Sequence, residues 1–228
     1  MPNGFLLTRY GLREWLTATI VAAALITLFL WIGWWWAVAV TAILWLAVVL
    51  FFRDPIRRRP RDLAAGAMLS PADGVVSAVS RVEHHDAVGG PAVVIRIFLS
   101  VLDVHVNRFP CDGEVVGLAY TRGSFHDARS AECPLENESN LLTLRLDSGR
   151  TIGVRQIAGK LARRIVCGVA TGDRLVRGQR YGMIKFGSST ELILPQDLVA
   201  EIHVEVGQRV KGGVTKLATV DLEPSDKT

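Results

Sequence analysis

The sequence predicts a mainly β protein, an antiparallel β-sandwich or barrel, joined to an N-terminal hydrophobic helical hairpin. Residues 16–52 contain no Asp, Glu, Lys, Arg or His, whereas the rest of the chain is charged throughout. From residue 63 onward, short apolar runs of alternating character are separated by Gly, Pro and Asp turns, a pattern typical of strands. With 228 residues, the chain has room for one domain of ordinary size and an attachment.

The apolar segment 16–52 is too long to cross a membrane as one straight helix. Its 37 residues would extend about 55 Å, against roughly 30 Å of hydrocarbon in a bilayer. We therefore expect a membrane hairpin that breaks near Gly33 and the three Trp at 34–36, with the indoles at head-group level. A cleaved signal peptide is the alternative, but its apolar region is usually about 7 to 15 residues long.

Arginines lie on both sides of this segment. Two are in the basic N-terminal segment 1–15, and five are in the linker 53–62, at positions 53, 57, 58, 59 and 61. A hairpin places both flanks on one side, and the positive-inside rule makes that side cytoplasmic. Such clusters attract anionic lipids at about 1 kcal/mol per residue. We expect the cell (inner) membrane as the location, anionic membrane lipids as partners, and no nucleic acid.

The β domain is expected over 63–222, followed by a polar tail, 223–228, whose composition is typical of disorder. Turns are predicted at 112–113, 147–149 and 172–173. Three widely spaced cysteines do not favour a disulfide framework or a zinc site. The predicted strands are 93–99, 114–120, 141–146, 151–157, 164–169 and 201–206.

Three segments contain candidate functional residues: 70–74 (Ser-Pro-Ala-Asp-Gly), 102–108 (Leu-Asp-Val-His-Val-Asn-Arg) and 186–190 (Phe-Gly-Ser-Ser-Thr). Each has an ordinary explanation when taken alone. An Asp-Gly pair is usually a turn, a His in an apolar strand is usually a packed core residue, and Gly-Ser-Ser is usually a flexible loop.

Taken in order, these segments resemble the pyruvoyl-dependent phosphatidylserine decarboxylases, over about residues 60–195. The similarity extends to Gly-Ser-Phe at 123–125 with Glu-Asn-Glu at 136–138. It continues with Ile-Ala-Gly at 157–159, Ala-Arg-Arg-Ile at 162–165, and the stretch 182–188. The short length and the hydrophobic hairpin are similar to the compact bacterial and archaeal branch of that family.

The resemblance implies a proenzyme that cuts itself between Gly187 and Ser188. The Ser188 hydroxyl would attack the Gly187 carbonyl, and a residue without Cβ most easily reaches the required backbone conformation. Elimination would release chain 1–187 and turn Ser188, the first residue of chain 188–228, into a pyruvoyl group. We expect the two fragments to form a heterodimer, alone or within a higher oligomer.

By the same resemblance, His105 is the base that activates Ser188 and Asp73 is its orienting partner. Longer bacterial members carry two His three residues apart in this strand, where this chain has His105 and Arg108. Either His105 therefore serves both self-cleavage and decarboxylation, or another group handles one step. Asp103 and His126 are the candidates for that second group.

The implied reaction converts phosphatidylserine to phosphatidylethanolamine and CO2. The substrate amine would form a Schiff base with the pyruvoyl carbonyl derived from Ser188, which accepts the electrons left by CO2. We therefore expect no metal and no pyridoxal phosphate. Arg108, Arg163 and Arg164 are candidate partners of the substrate phosphate, because Arg offers paired donors; ordinary surface Arg in strands would look the same.

Two other classes of protein compete with this prediction. A membrane-anchored serine hydrolase or peptidase would use Ser188 as nucleophile with Lys185 or His105 as base, and would keep its chain intact. A biotinyl or lipoyl carrier module would need a lysine at an exposed turn, whereas Lys185 lies in an apolar segment. A decarboxylase of soluble amino acids is a further option, which the membrane hairpin disfavours.

Overall fold

The computed structural model describes residues 6–58, 60, 63–126, 136–159, 164–185 and 188–222. The chain divides into two compact units, Met1–Ile56 and Arg57–Thr228. The first is helical, and the second is built from antiparallel strands. The predicted mainly β fold with an N-terminal apolar helical segment is thereby confirmed.

The first unit is a pair of apolar helices, α1 (Leu12–Trp31) and α2 (Trp35–Phe51), preceded by a short 3-10 helix. The helices are separated at Gly33, which has φ of +77°, as the sequence predicted. Trp45 Nε1 of α2 donates to Thr19 Oγ1 of α1 over 3.1 Å. By length and composition, the helical stretch Arg9–Trp31 could cross a membrane, whereas α2 is shorter.

In the second unit, the described residues form 14 strands in three sheets, and neighbouring strands are antiparallel. The large sheet curls into a half-barrel with the order β13-β2-β3-β11-β7-β6-β5-β9, and the small sheets are β1-β14-β12 and β4-β10-β8. The strands are β1 (Ala67–Leu69), β2 (Gly74–His85), β3 (Gly90–Leu99), β4 (Val106–Arg108), β5 (Gly113–Thr121), β6 (Ser139–Arg145), β7 (Thr151–Ile157), β8 (Arg164–Cys167), β9 (Arg174–Leu175), β10 (Arg180–Lys185), β11 (Ser188–Pro195), β12 (Val199–Ile202), β13 (Arg209–Val210) and β14 (Lys216–Val220).

The main core lies between the large sheet and the two small ones. It joins Met68 of β1, Tyr181 of β10 and Leu217 of β14 to apolar side chains of the large sheet. The rings of Phe109 and Tyr181 meet edge to face, with centroids 5.2 Å apart. The small sheets are thus held against the large one by buried apolar area, the main source of folding free energy.

Strand β11 lies inside the large sheet, between β3 and β7, and both of its faces are buried. Leu192 and Leu194 join the main core, whereas Ile193 joins a separate cluster on the other face. Because side chains alternate along a strand, Ser188 and Thr190 share the face of Leu192. The first residue of β11 therefore points towards the interior between the sheets.

Most of the predicted strands are present. Those at 93–99, 114–120, 141–146 and 151–157 are β3, β5, β6 and β7, and the one at 164–169 is the shorter β8. The strand predicted at 201–206 is wrong beyond Ile202. There the chain leaves the sheet and turns at Gly207, whose φ is +91°, and Val206 is 64% exposed. The alternation of apolar and polar residues in this turn resembles the pattern of a strand, which explains the wrong prediction.

Candidate active site

Ser188 is the first residue of β11 and is fully buried, with 0% of its surface exposed. Within the described part of the chain, its Oγ has no hydrogen-bond partner. A buried hydroxyl without a partner costs about 1–3 kcal/mol, so such a group calls for an explanation other than stability. Phe186 and Gly187, the two residues before it, lie outside the described residues, and so does the predicted cleavage bond.

His105 is also fully buried, just before β4. Its backbone carbonyl accepts from Ile184 N over 3.2 Å, which places His105 beside the end of β10. Ser188 follows Ile184 by only four positions along the chain. His105 therefore lies beside the last residues of β10, and Ser188 is the first residue of the next strand, β11.

The ring of His105 contacts the turn before it. Its Nδ1 lies 3.0 Å from the Asp103 carbonyl oxygen. A carbonyl oxygen can only accept, so this contact fits a proton on Nδ1, and in a neutral ring Nε2 would then carry the lone pair that a base needs. The Asp103 carboxylate accepts from Ser100 N and Oγ at 2.9 and 2.7 Å, closing the turn before His105. Asp103 thus contacts His105 through its backbone carbonyl.

Asp73 lies directly before β2 and forms a partly buried ion pair. Its Oδ2 accepts from Arg57 Nη2 at 2.5 Å, and its Oδ1 accepts from Gly212 N at 2.8 Å. Burial raises the pKa of Asp73, and the charge of Arg57 opposes that rise. Within the described residues, Asp73 and His105 have separate hydrogen-bond partners. The orienting role of Asp73 stays a prediction.

The glycine after Asp73 has a specific packing role. Gly74 has φ of +150°, and a Cβ there would stand 2.1 Å from the Phe98 carbonyl oxygen. A side chain would therefore push β2 away from β3. The Asp-Gly pair lets the two strands approach, which fixes the carboxylate at the edge of the core.

The candidate phosphate-binding arginines are separated in the structure. Arg108 is 5% exposed and donates to the Gly178 carbonyl over 3.2 Å. Burial raises the pKa of Asp73, and the charge of Arg108 opposes that rise in a minor way. Arg108 is opposite the first residue of β10, whereas Arg164, which is exposed, is opposite the last, Lys185. At about 3.3 Å per residue, the two arginines are offset by about 16 Å along β10, and they lie on strands on opposite sides of it. Arg163 lies outside the described residues.

Three of the motif segments meet beside β11. Asn137 Nδ2 donates to the carbonyls of Ala158 and His126 at 2.8 and 3.0 Å. Ile157 is paired with Ser189, the second residue of β11. His126 itself is half-exposed, and its Nε2 lies 2.9 Å from a Glu136 carboxylate oxygen. The structure therefore gives His126 an acidic partner in its own loop.

Sequence reasoning missed a buried polar chain on the face of Ser188. It consists of Asn140, Gln156, Asn107 and Thr190, joined by hydrogen bonds of 2.9 to 3.2 Å. From the sequence, Asn107 is only a member of the motif 102–108, and no role is predicted for its side chain. Its partners lie on strands far away in sequence, although a Gln in the apolar run of β7 is a local signal of a buried hydrogen bond.

The structure thus defines a β protein with a buried serine at the start of a central strand and a buried histidine beside the end of the strand before it. Acyl transfer from the preceding peptide bond is chemistry that such a pair can perform. Among the residues described, no cluster of three or more His, Cys, Asp or Glu could hold a metal ion.

A sequence model of the family "Phosphatidylserine decarboxylase" matches residues 44–218. Similar proteins named "Phosphatidylserine decarboxylase proenzyme" include one from Rhodopirellula baltica, 43% identical over 92% of this chain and 86% of its own. One from Symbiobacterium thermophilum is 48% identical over 86% and 88%, and one from Trichlorobacter lovleyi is 46% identical over 78% and 79%. The chain belongs to the phosphatidylserine decarboxylase family, as its motifs predicted.

Proposed function

We propose that this protein decarboxylates phosphatidylserine to phosphatidylethanolamine, after cutting its own chain between Gly187 and Ser188. The observation that carries the proposal is the buried Ser188 hydroxyl, for which the described residues offer no hydrogen-bond partner. The relatives, which are named proenzymes, support a step of self-processing. The mature protein would then consist of chains 1–187 and 188–228.

Self-cleavage begins with proton transfer from Ser188 Oγ to His105 Nε2. The oxygen attacks the Gly187 carbonyl, the bond from that carbon to the Ser188 nitrogen breaks, and the nitrogen takes up the proton. A base then removes the Ser188 Cα proton, and the Gly187 carboxylate leaves as a new C-terminus. Tautomerisation and hydrolysis of the remaining dehydroalanine release ammonia and leave a pyruvoyl group.

The local environment supports this role for Ser188. A fully buried position keeps bulk water away from the ester, and a neutral imidazole is a suitable base near neutral pH. Once formed, the pyruvoyl carbonyl would supply the electron sink for the loss of CO2 from the substrate. His105 would then return a proton to the carbon that loses the carboxylate.

For the substrate phosphate we favour Arg164 over Arg108. Arg164 is exposed and is opposite the last residue of β10, three residues before Ser188. Arg108 already donates to a backbone carbonyl and lies in the field of Asp73. Arg163, next in sequence to Arg164, remains the second candidate.

We also propose that α1 and α2 attach the protein to the cell membrane, with the β unit on the cytoplasmic side. Support comes from the apolar surface of both helices and from the arginines at both flanks of the pair. A lipid substrate and a membrane attachment fit one another, because an enzyme held at the membrane can bind the lipid head group while the acyl chains stay in the bilayer.

The proposed cleavage is tested with two neighbouring serines. Ser188→Ala removes the nucleophile, and Ser189→Ala is the matched control, because Ser189 points to the opposite face of β11. On a denaturing gel, we expect wild type and Ser189→Ala to yield fragments of 187 and 41 residues. Ser188→Ala should stay at 228 residues and lack decarboxylase activity. An intact, active wild-type chain would favour the serine hydrolase alternative and contradict the proposal.

A further inference from the structure

Four buried polar side chains form one hydrogen-bonded chain across the interior. Asn140 Nδ2 donates to Gln156 Oε1 at 3.2 Å, Gln156 Nε2 donates to Asn107 Oδ1 at 2.9 Å, and Asn107 Nδ2 donates to Thr190 Oγ1 at 3.1 Å. Asn107, Gln156 and Thr190 are 0% exposed. Burying so many polar groups is costly unless each finds a partner, so their pairing constrains the strands that carry them.

The chain of hydrogen bonds links two sheets. Asn140, Gln156 and Thr190 lie opposite one another on β6, β7 and β11, forming a row across the large sheet. Asn107 comes from β4 in the small sheet. Gln156 and Thr190 thus both join the row to the facing sheet through Asn107, and Gln156 also connects that link to Asn140.

Gly182 of β10 provides the space for this link. It is the register partner of Asn107, and a Cβ on it would stand 3.0 Å from Gln156 Nε2 and 2.3 Å from the Val166 carbonyl oxygen. Any side chain at position 182 would therefore crowd both the Gln156 amide and β8. A glycine here lets the amide reach the small sheet.

The position of the link matters for the proposed chemistry. Asn107 lies two residues after His105, and Thr190 lies two residues after Ser188. Residues two apart in extended chain share a face and are about 7 Å apart. His105 directly precedes β4 and Ser188 begins β11, so a hydrogen bond between Asn107 and Thr190 ties together the two segments that carry them.

We propose that Gln156 is a positioning residue for self-cleavage: it holds Asn107 against Thr190 and so aligns the His105 base with the Ser188 hydroxyl. The inference rests on the proposed function. Gln156 itself acts through Asn107, and its amide both accepts from Asn140 and donates to Asn107, a combination that an apolar side chain of the same size cannot reproduce.

The test compares rates of self-cleavage in full-length protein made by pulse-labelled cell-free synthesis in lipid nanodiscs. Gln156→Met keeps the volume and removes the hydrogen bonds to Asn140 and Asn107, together with a 3.5 Å donation to the Val166 carbonyl oxygen. Thr190→Val removes the acceptor of Asn107 with little change of shape. Glu191→Gln is the matched control, because Glu191 is 1% exposed and pairs with Arg96 and Arg155 on the opposite face of β11. Thermal midpoints are measured for each variant in a Ser188→Ala background.

We expect Gln156→Met and Thr190→Val to cleave about 10-fold more slowly or worse, because small misplacements of a base are costly in rate. Glu191→Gln should cleave at the wild-type rate, even if its thermal midpoint falls as much as those of Gln156→Met and Thr190→Val. Wild-type rates in folded Gln156→Met and Thr190→Val, or equal slowing by Glu191→Gln at an equal thermal midpoint, would overturn the inference and leave the proposed function intact. A wild-type chain that never cleaves would overturn both.

Discussion

Asp73 and Arg57 form the most consequential ion pair near the proposed site. Both side chains are 14% exposed, and the carboxylate also accepts from Gly212 N. Because burial raises the pKa of Asp73, ionising this carboxyl costs stability as the pH rises through that pKa. Arg57 reduces the cost, since it attracts only the ionised form.

Removing Arg57 should therefore destabilise the fold in a pH-dependent way. In a Ser188→Ala background, we expect Arg57→Gln to lower the free energy of unfolding by about 2 kcal/mol at neutral pH. The difference should shrink as the pH falls through the Asp73 pKa, which lies above the ordinary value of about 4. Denaturant unfolding in detergent, followed by the circular dichroism of the strands, measures it.

The control for this prediction is Arg58→Gln, which removes an exposed neighbouring charge and should have little effect. A difference for Arg57→Gln that stays constant from neutral to acidic pH would show that the guanidinium stabilises the fold by packing, not through the charge of Asp73.

The sequence identified Asp73, His105 and Ser188 as candidates through local motifs. It did not identify the partners of these residues, because partners are set by strands that meet far apart in sequence. Arg57 looked like a lipid-binding residue in a basic linker, although it pairs with Asp73. Gln156 lies 49 positions after Asn107, so no local pattern could connect the two amides.

At the scale of elements, the sequence predicted β3, β5, β6 and β7. Each of these strands either has one face that is more polar than the other or lies next to a turn that contains glycine. Strand β11 was not predicted, since both of its faces are buried and it shows no alternation. Its Glu191 is stabilised by Arg96 and Arg155 on the two neighbouring strands. A charged residue in an apolar run argues against a fully buried strand, unless the oppositely charged partners on neighbouring strands are known.

The helical pair offers a direct spectroscopic test of membrane attachment. All six Trp of the chain, at positions 15, 31, 34, 35, 36 and 45, lie in the first unit. Trp fluorescence therefore reports on these helices alone. We expect strong quenching in vesicles of brominated anionic phospholipid and weak quenching by iodide in the surrounding water. The opposite pattern would contradict insertion of α1 and α2 into the bilayer.

At the scale of the whole molecule, cleavage after Gly187 would place paired strands of the fold in two different chains. Chain 188–228 contributes β11 between β3 and β7, and β14 beside β1. Its strands thus pair mainly with strands of chain 1–187, and its apolar residues enter the main core. The backbone hydrogen bonds and the core would hold the two fragments together as a heterodimer, without a covalent link.

The central claim is that Ser188 becomes a pyruvoyl group, and the most direct test is the intact mass of the 41-residue fragment. The protein is purified under native conditions so that both fragments are retained, then denatured and weighed. We predict a small fragment lighter by one molecule of ammonia than the same peptide beginning with serine, and without a free N-terminal amine. A fragment with the full mass and an ordinary N-terminal serine would contradict the account.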